Sequence, residues 1–251
     1  MTPIDQPNDL REYYQNRGVV GEYMQRRTAQ PLNGVLHRSQ VRFLRRVMAE
    51  RRFHRVLEIA CGPGRLTAEM RNVGFGVAID TSAVMLEMAL RRVDGRAGSW
   101  SFLRTDAFLL PFRSEMFDAV YSLRFVRHFQ LEHRQHLYAE VRHVLRSGGF
   151  FIVDGLNRDV SLPYRVKSGL ERYHIHDVLY RREEIEAELK EAGFRIVAVE
   201  GYMKHYSLQR RLNRLRRVKL DVLATALIQS LEHVPGGNPL NWVFLCEKTP
   251  A

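Results

Sequence analysis

Cysteine is scarce in this chain: Cys61 and Cys246 are the only two among 251 residues. Two thiols supply neither a disulfide framework nor a C-x-x-C metal site, so a protein without disulfides, working in a reducing compartment, is expected. Long apolar runs are missing too. The best uncharged candidate, Val222 to Leu231, falls well below the roughly 18 residues that a membrane-spanning helix needs. The opening MTPIDQPNDLREYY lacks the basic-then-apolar order of a secretory signal, which points to a cytoplasmic location. Acids are also in short supply, with 28 Asp plus Glu against 39 Lys plus Arg, a net charge of +11. That surplus suggests a polyanionic partner (nucleic acid, an anionic membrane surface or an acidic substrate) without choosing among them. What remains is ordinary globular composition, 45% hydrophobic and 27% charged, enough to bury a full core without metal or disulfide.

Residues 1–9, carrying Pro3 and Pro7, read as a tail. Residues 10–53 have a helical pattern, with Val41, Leu44, Val47 and Met48 on one face; Pro31 and Gly34 are expected to break it into two pieces. The rhythm then changes. Short apolar runs at 55–60, 76–80, 101–106, 117–123, 149–155, 194–202 and 241–248 alternate with helical candidates at 64–73, 82–92, 131–146 and 182–192. Such alternation predicts a mostly parallel sheet covered on both faces. Gly193 ends the last of these helices as a left-handed cap should. Two connections, 156–180 and 203–238, are long for α/β loops and read as substrate caps.

Residues 56–70 read VLEIACGPGRLTAEM. A strand ending at Ala60, a turn through Gly62 and Gly64, and a helix from near Arg65 would place backbone N–H groups at a ligand crevice. Asp80 closes the next apolar run, where a carboxylate can accept both ribose hydroxyls of a nucleoside. A dinucleotide site would prefer a third glycine where Thr67 stands, and Arg65 crowds the turn.

LEIACGPGRLT and VAIDTS are followed by SFLRTDAFLLPFRSEMFDAVYSLRFVRH at 101–128 and VLRSGGFFIVDG at 144–155. This ordered set resembles the class I S-adenosylmethionine-dependent methyltransferases, in particular the small-molecule group that includes the ubiquinone/menaquinone-biosynthesis C-methyltransferases. It covers 55–155 closely and reaches 181–200. The resemblance implies a Rossmann-like, doubly wound α/β fold of seven strands, mostly parallel with one antiparallel strand, in which 194–202 and 241–248 form a terminal hairpin. It further implies one methyltransferase domain over 1–251, with a helical cap at 1–50. The cofactor-binding core would comprise 51–202 and 239–251, with a basic helical insertion at 203–238. S-adenosyl-L-methionine is the implied cofactor. By the same resemblance, Glu58, Gly62 and Gly64 line its methionine portion, with Ala60 in place of the first glycine of the family's G-x-G-x-G. Asp80, followed by Thr81, takes the ribose; Met85 packs on the adenine; Asp106 and Ala107 read the adenine edge; Tyr121 and Ser122 stand beside the sulfonium and its methyl group. A nicotinamide-dependent protein predicts neither TDAFLLPF nor that hairpin.

Methyl transfer from a sulfonium is an in-line displacement, so the protein's main task is alignment. A base is needed only where the acceptor must lose a proton. His128 is the first candidate, against a structural hydrogen bond to a neighbouring loop. His174 and His176 flank Ile175 and would face one side if that segment is extended. His133, His136 and His143 share one helical stretch without a ligand partner, so no metal site is expected. Tyr13, Tyr14, Tyr23 and Arg27 lie in the N-terminal region, which in relatives often folds over the cofactor; aromatic packing is the plainer role. Tyr121-Ser122-Leu123-Arg124 stands where base-amino methyltransferases carry an Asn- or Asp-Pro-Pro-aromatic run, which argues against that chemistry.

Residues 204–219 contain seven Lys/Arg and no acid. As one helix they would align Leu208, Leu212, Leu215 and Val222 opposite Arg210, Arg214 and Arg217, with Lys219 intruding on the stripe. Such a segment serves as a solvated face, as a peripheral helix on an anionic membrane, or as a site for an anionic substrate or nucleic acid. The expected function is methyl transfer to a small organic acceptor, lipid- or quinone-like acceptors included. The alternatives are an RNA or protein methyltransferase and a catalytically silent binding subunit of the same fold.

Overall fold

The computed structural model describes residues 7–28, 30–71, 73–93 and 100–250. Three helices open the chain: α1 (Pro7–Tyr13), α2 (Arg17–Thr28) and α3 (Pro31–Arg51). Pro31 starts α3 at a position where its missing N–H costs nothing. Gly34 sits inside α3 rather than breaking it, and residues 7–9 belong to α1 rather than to a tail.

The rest alternates strands and helices: β1 (Arg55–Ile59), β2 (Phe75–Asp80), α4 (Ala83–Val93), β3 (Trp100–Arg104), β4 (Phe117–Ser122), α5 (Leu131–Val144) and β5 (Leu145–Asn157). There follow α6 (Arg158–Ser168), β6 (Leu179–Tyr180), α7 (Arg182–Glu191), β7 (Phe194–Tyr202), α8 (Tyr206–Leu212), α9 (Asp221–Leu231) and β8 (Asn241–Lys248). The sheet order is β3-β2-β1-β4-β5-β8-β7, and β6 pairs with the end of β5. Among the described residues, β8 alone runs against its neighbours, β5 and β7. The seven-stranded expectation therefore holds along the main path, and the two-residue β6 makes an eighth.

Successive residues feed opposite cores. Phe150 and Ile152 join Phe43, Leu44 and Ile228 under α3 and α9. Phe151 and Val153 join Leu137, Val141 and Leu189 under α5 and α7. This period-two sorting into two buried layers is why the strands read as near-continuous apolar runs.

Three expectations fail locally. The helix expected at 64–73 is replaced by turns and a single 3-10 turn, Thr67–Glu69. Side chains from elsewhere tie this turn down: Arg45 Nε donates to Glu69 O and Trp100 Nε1 to Met70 O, each at 2.9 Å. Segment 156–180 is not a long loop, since it holds α6 and β6. The basic segment is not one helix: α8 passes directly into a 3-10 run over Asn213–Val218, which ends at Lys219 with a left-handed backbone before α9 begins. Gln209, Ala224 and Ile228 turn inward, while Leu208 and Val222 of the expected apolar stripe are 46% and 86% exposed.

Among the described residues, no helix is long and apolar enough to cross a membrane, and Cys61 and Cys246 are free thiols, both buried.

Candidate functional site

The parallel strands β1, β2 and β4 bring their C-terminal ends to one edge, the place where doubly wound sheets bind ligands. A cavity opens there, lined by Glu58, Ala60, Gly62, Asp80, Met85 and Asp106 among others. In its wall the Asp80 carboxylate accepts the N–H of Gly62 at 2.8 Å through one oxygen and that of Ser82 at 2.9 Å through the other. Each oxygen keeps lone-pair capacity for a further donor. Burial raises the Asp80 pKa, against these backbone hydrogen bonds.

The turn after β1 uses left-handed backbone at Ala60, Gly62 and Gly64 (φ 56°, 53° and 67°). Gly62 faces open space: a Cβ there would meet nothing within 4 Å. Gly64 does not line the cavity, because its missing Cβ is a packing requirement, with Ala89 Cβ only 2.9 Å from where it would sit. Glu58 lines the cavity yet is tied inward. Its Oε2 accepts from the Thr67 hydroxyl at 2.5 Å and the Tyr121 hydroxyl at 2.7 Å. Burial pushes its pKa up to about 7, despite both hydrogen bonds.

Thr81, Met85, Asp106 and Ala107 all line the cavity. Tyr121 and Ser122 do not. Tyr121 turns to the α3 side against Trp100, and the Ser122 hydroxyl donates to Ile59 O at 3.2 Å. In their stead, Leu123, Arg124, Phe125 and Phe129 from the segment just after β4 face the cavity.

The N-terminal helices close over this edge. Arg11 of α1 pairs with Asp106, Gln15 Nε2 donates to Thr81 O at 2.9 Å, and the Ser82 hydroxyl donates to Tyr14 O at 2.7 Å. His37 of α3 also reaches the cavity. Burial, then Arg65, Arg92 and Arg38, lower its pKa to about 4, so its imidazole is neutral at physiological pH. The side chains of Tyr23 and Arg27 lie outside the described residues. Neither Arg11 nor His37 carried a recognisable motif; only the packing of the helices brings them in.

His128 borders this cavity and an adjoining one. Its Nδ1 lies 2.8 Å from His176 O and 3.1 Å from Asp177 Oδ1. Two acceptors on Nδ1 hold the proton there in the neutral ring and leave Nε2 as the basic atom. Asp177 also takes Arg127 at 2.9 Å and Arg165 at 2.5 Å. Burial would raise its pKa, but Arg127, His128 and Arg165 together hold it well below the usual carboxylate range. The extended segment that would align His174 with His176 is absent. After the 3-10 turn Leu170–Arg172 the chain is irregular; His174 lines the second cavity and meets the Tyr13 hydroxyl at 2.9 Å, whereas His176 contributes its carbonyl to His128. The helix-borne His133 and His136 stack around Phe108. Among the described residues, no cluster of ligating side chains could hold a metal ion.

Residues 56–149 match the model of a methyltransferase domain family. The ubiquinone/menaquinone biosynthesis C-methyltransferase of Stutzerimonas stutzeri is 31% identical over 131 residues, which is 49% of either chain. This chain thus spans about half the length of the curated relatives it matches. The structure of magnesium protoporphyrin IX methyltransferase from Synechocystis, with bound S-adenosylhomocysteine, covers 97% of this chain and 100% of its own (TM-score 0.68, 12% identity). The [4+2]-cyclase SpnF covers 79% of this chain and 75% of its own (TM-score 0.53, 20% identity). The match to a methyltransferase domain is confined to residues 56–149, and the fold of the chain is the Rossmann-like one that these methyltransferase structures share.

Proposed function

We propose that this chain is an S-adenosylmethionine-dependent methyltransferase acting on a small organic acceptor in the cytoplasm, with 1–50 and the basic insertion 203–238 as caps on a single domain. The observation that carries this reading is the Gly62–Asp80 pair, an open glycine turn clamped to a strand-end carboxylate inside a cavity. That arrangement suits a nucleoside: Asp80 can accept two hydroxyls, Met85 offers an apolar wall, and Asp106 can accept an amino group once Arg11 yields. Arg65 at the cavity wall suits the carboxylate of an amino-acid moiety. When bound, the cofactor supplies a methyl group on a sulfonium, transferred in line with a neutral thioether as leaving group.

The chain's own residues then have three tasks. Phe108, Phe125 and Phe129 exclude water from the cavity. The turn and Asp80 hold one reactant in place, which is the larger part of catalysis for such a displacement. His128 takes the acceptor's proton at Nε2 where the acceptor atom carries one, oriented by Asp177 and the His176 carbonyl.

A fold shared with a cyclase does not decide chemistry, so binding must be measured. Calorimetry should show S-adenosylmethionine and S-adenosylhomocysteine binding to the wild type and at least about a tenfold loss in Asp80→Ala. No binding of either overturns the enzyme reading in favour of a silent subunit. A methyl-transfer screen over quinone, lipid, sugar, RNA and protein fractions, read by a gain of about 14 daltons, then identifies the acceptor.

A lipid- or quinone-like acceptor is favoured by the outer surface of α8 and α9. Leu208, Val218, Leu220, Val222 and Leu223 are exposed among Arg211, Arg214, Arg216, Arg217 and Lys219. Apolar side chains ringed by cations suit the surface of an anionic membrane.

A further inference from the structure

A second cavity adjoins the first and shares Tyr14, Arg124 and His128 with it. Its charge is lopsided. Arg124, Arg127 and Arg172 line it against a single carboxylate, Asp177. That carboxylate is engaged by Arg127, Arg165 and His128, and Arg127 is further paired with the buried Asp154 at 3.0 Å. Arg124 and Arg172 remain. Among the described residues neither forms an ion pair with an acid.

Arg124 is also held in an unusual way. It follows β4 by two residues and has a left-handed backbone (φ 70°), where its N–H donates to Asp154 Oδ1 at 2.5 Å. Bulky residues adopt that conformation at a cost and keep it where surrounding contacts enforce it, a pattern concentrated at ligand clamps. Asp154 is nearly inaccessible to solvent and fixes both the Arg124 backbone and the Arg127 guanidinium. Arg124 thus stands at the boundary between the two cavities, lining both together with the candidate base His128. A guanidinium offers a fork of N–H donors that matches an oxyanion at two points. Tyr14 and Tyr173 supply aromatic surface beside it, with the Arg165 guanidinium 4.5 Å from the Tyr173 ring centre.

We propose that the second cavity is an anion subsite for the acceptor, which carries a carboxylate or phosphate bound by Arg124 and Arg172. The acceptor's nucleophilic atom then lies toward His128 and the first cavity. This inference rests on the methyltransferase reading, because it takes the first cavity as the cofactor's. It also assigns part of the cationic surplus to substrate recognition rather than to the surface.

The test uses the full chain saturated with S-adenosylhomocysteine, whose own binding is measured separately by calorimetry. Ligand-observed NMR then compares three probes of one shape: benzoate, phenyl phosphate and neutral benzamide. At least one anion should bind about tenfold or more tightly than benzamide, as expected for charge-assisted pairing. Preference for benzoate identifies a carboxylate acceptor; preference for phenyl phosphate identifies a phosphate. Arg124→Gln should weaken the preferred anion at least about tenfold. Arg172→Gln, remote from the first cavity, should weaken it about threefold or more and leave S-adenosylhomocysteine affinity unchanged. If S-adenosylhomocysteine binds but all three probes bind alike, or both variants behave as wild type, the anion subsite is overturned and the methyltransferase reading stands. If S-adenosylhomocysteine fails to bind the folded wild type, the methyltransferase reading itself falls.

Discussion

Asp177 Oδ1 lies 3.1 Å from His128 Nδ1, while the same carboxylate holds Arg127 and Arg165. The imidazole is therefore fixed in one orientation, with Nδ1 held between two acceptors and Nε2 left as the atom that can exchange a proton with a ligand. His128→Gln should lower the rate of methyl transfer to a protic acceptor by roughly 100-fold or more, the usual scale for a lost general base. For an acceptor atom without a proton to lose, the same variant should change the rate by less than about fivefold. Single-turnover mass spectrometry with both acceptor types separates a base from a structural hydrogen bond.

Buried Glu58 predicts a pH-dependent stability. Burial raises its pKa from 4.5 to about 7 in the folded state. Between those values the native protein binds more protons than the unfolded chain, so stability falls as pH rises through the window and stays low above it. Glu58→Gln removes this dependence while keeping an oxygen for Thr67 and Tyr121. Relative to the variant, the wild type should lose about 3 kcal/mol between roughly pH 4.5 and pH 8. Urea unfolding of both proteins across that range measures the difference, and parallel curves would remove the buried carboxyl as its source.

Two neighbouring positions in the glycine turn should respond in opposite ways. Ala60 has a left-handed backbone (φ 56°), a strain of about 1 kcal/mol that glycine does not feel. After the entropy that glycine adds to the unfolded chain, Ala60→Gly should be neutral or stabilising by up to about 1 kcal/mol. Gly64→Ala combines positive φ with a Cβ placed 2.9 Å from Ala89 Cβ, so a loss of about 2 kcal/mol or more is expected. Thermal unfolding of the two variants beside wild type decides both signs.

The exposed apolar residues of α8 and α9 predict flotation with liposomes containing anionic lipid and not with neutral ones. Binding should weaken markedly between roughly 50 mM and 500 mM salt, because the cationic contribution is screened. The Val222→Glu/Leu223→Glu pair, at exposed positions, should reduce flotation at least about tenfold without lowering the melting temperature. Equal recovery of the variant would leave the arginines alone as the contact.

Much of the scaffold can be read directly from the residues. Alternation of short apolar runs with amphipathic stretches predicts the doubly wound sheet, because strands buried on both faces need apolar residues at every position. Gly193, with φ 78°, ends its helix as a left-handed cap does. The turn after β1 and the carboxylate ending β2 are close in sequence and lie on paired parallel strands, so local order was enough to bring Gly62 to Asp80.

Orientation and distant pairing were not available in that way. Tyr121 and Ser122 stand at the right strand end, yet their side chains turn into the packed layers, and Arg124 reaches the cavity instead. The helix expected after the glycine turn is replaced by turns whose carbonyls accept from Arg45 of α3 and Trp100 of β3, contacts that exist only in the folded chain. Arg11 meets Asp106, and His128 meets Asp177, only after α1 and the segment following α6 fold back over the sheet edge. The shortage of acids noted in the sequence predicts a partner for surplus cations. Where that surplus stands, lining a cavity beside a candidate base or exposed around apolar side chains, was decided by tertiary structure alone. A charge count has no geometry, and the attraction between a cation and its partner depends on distance and burial.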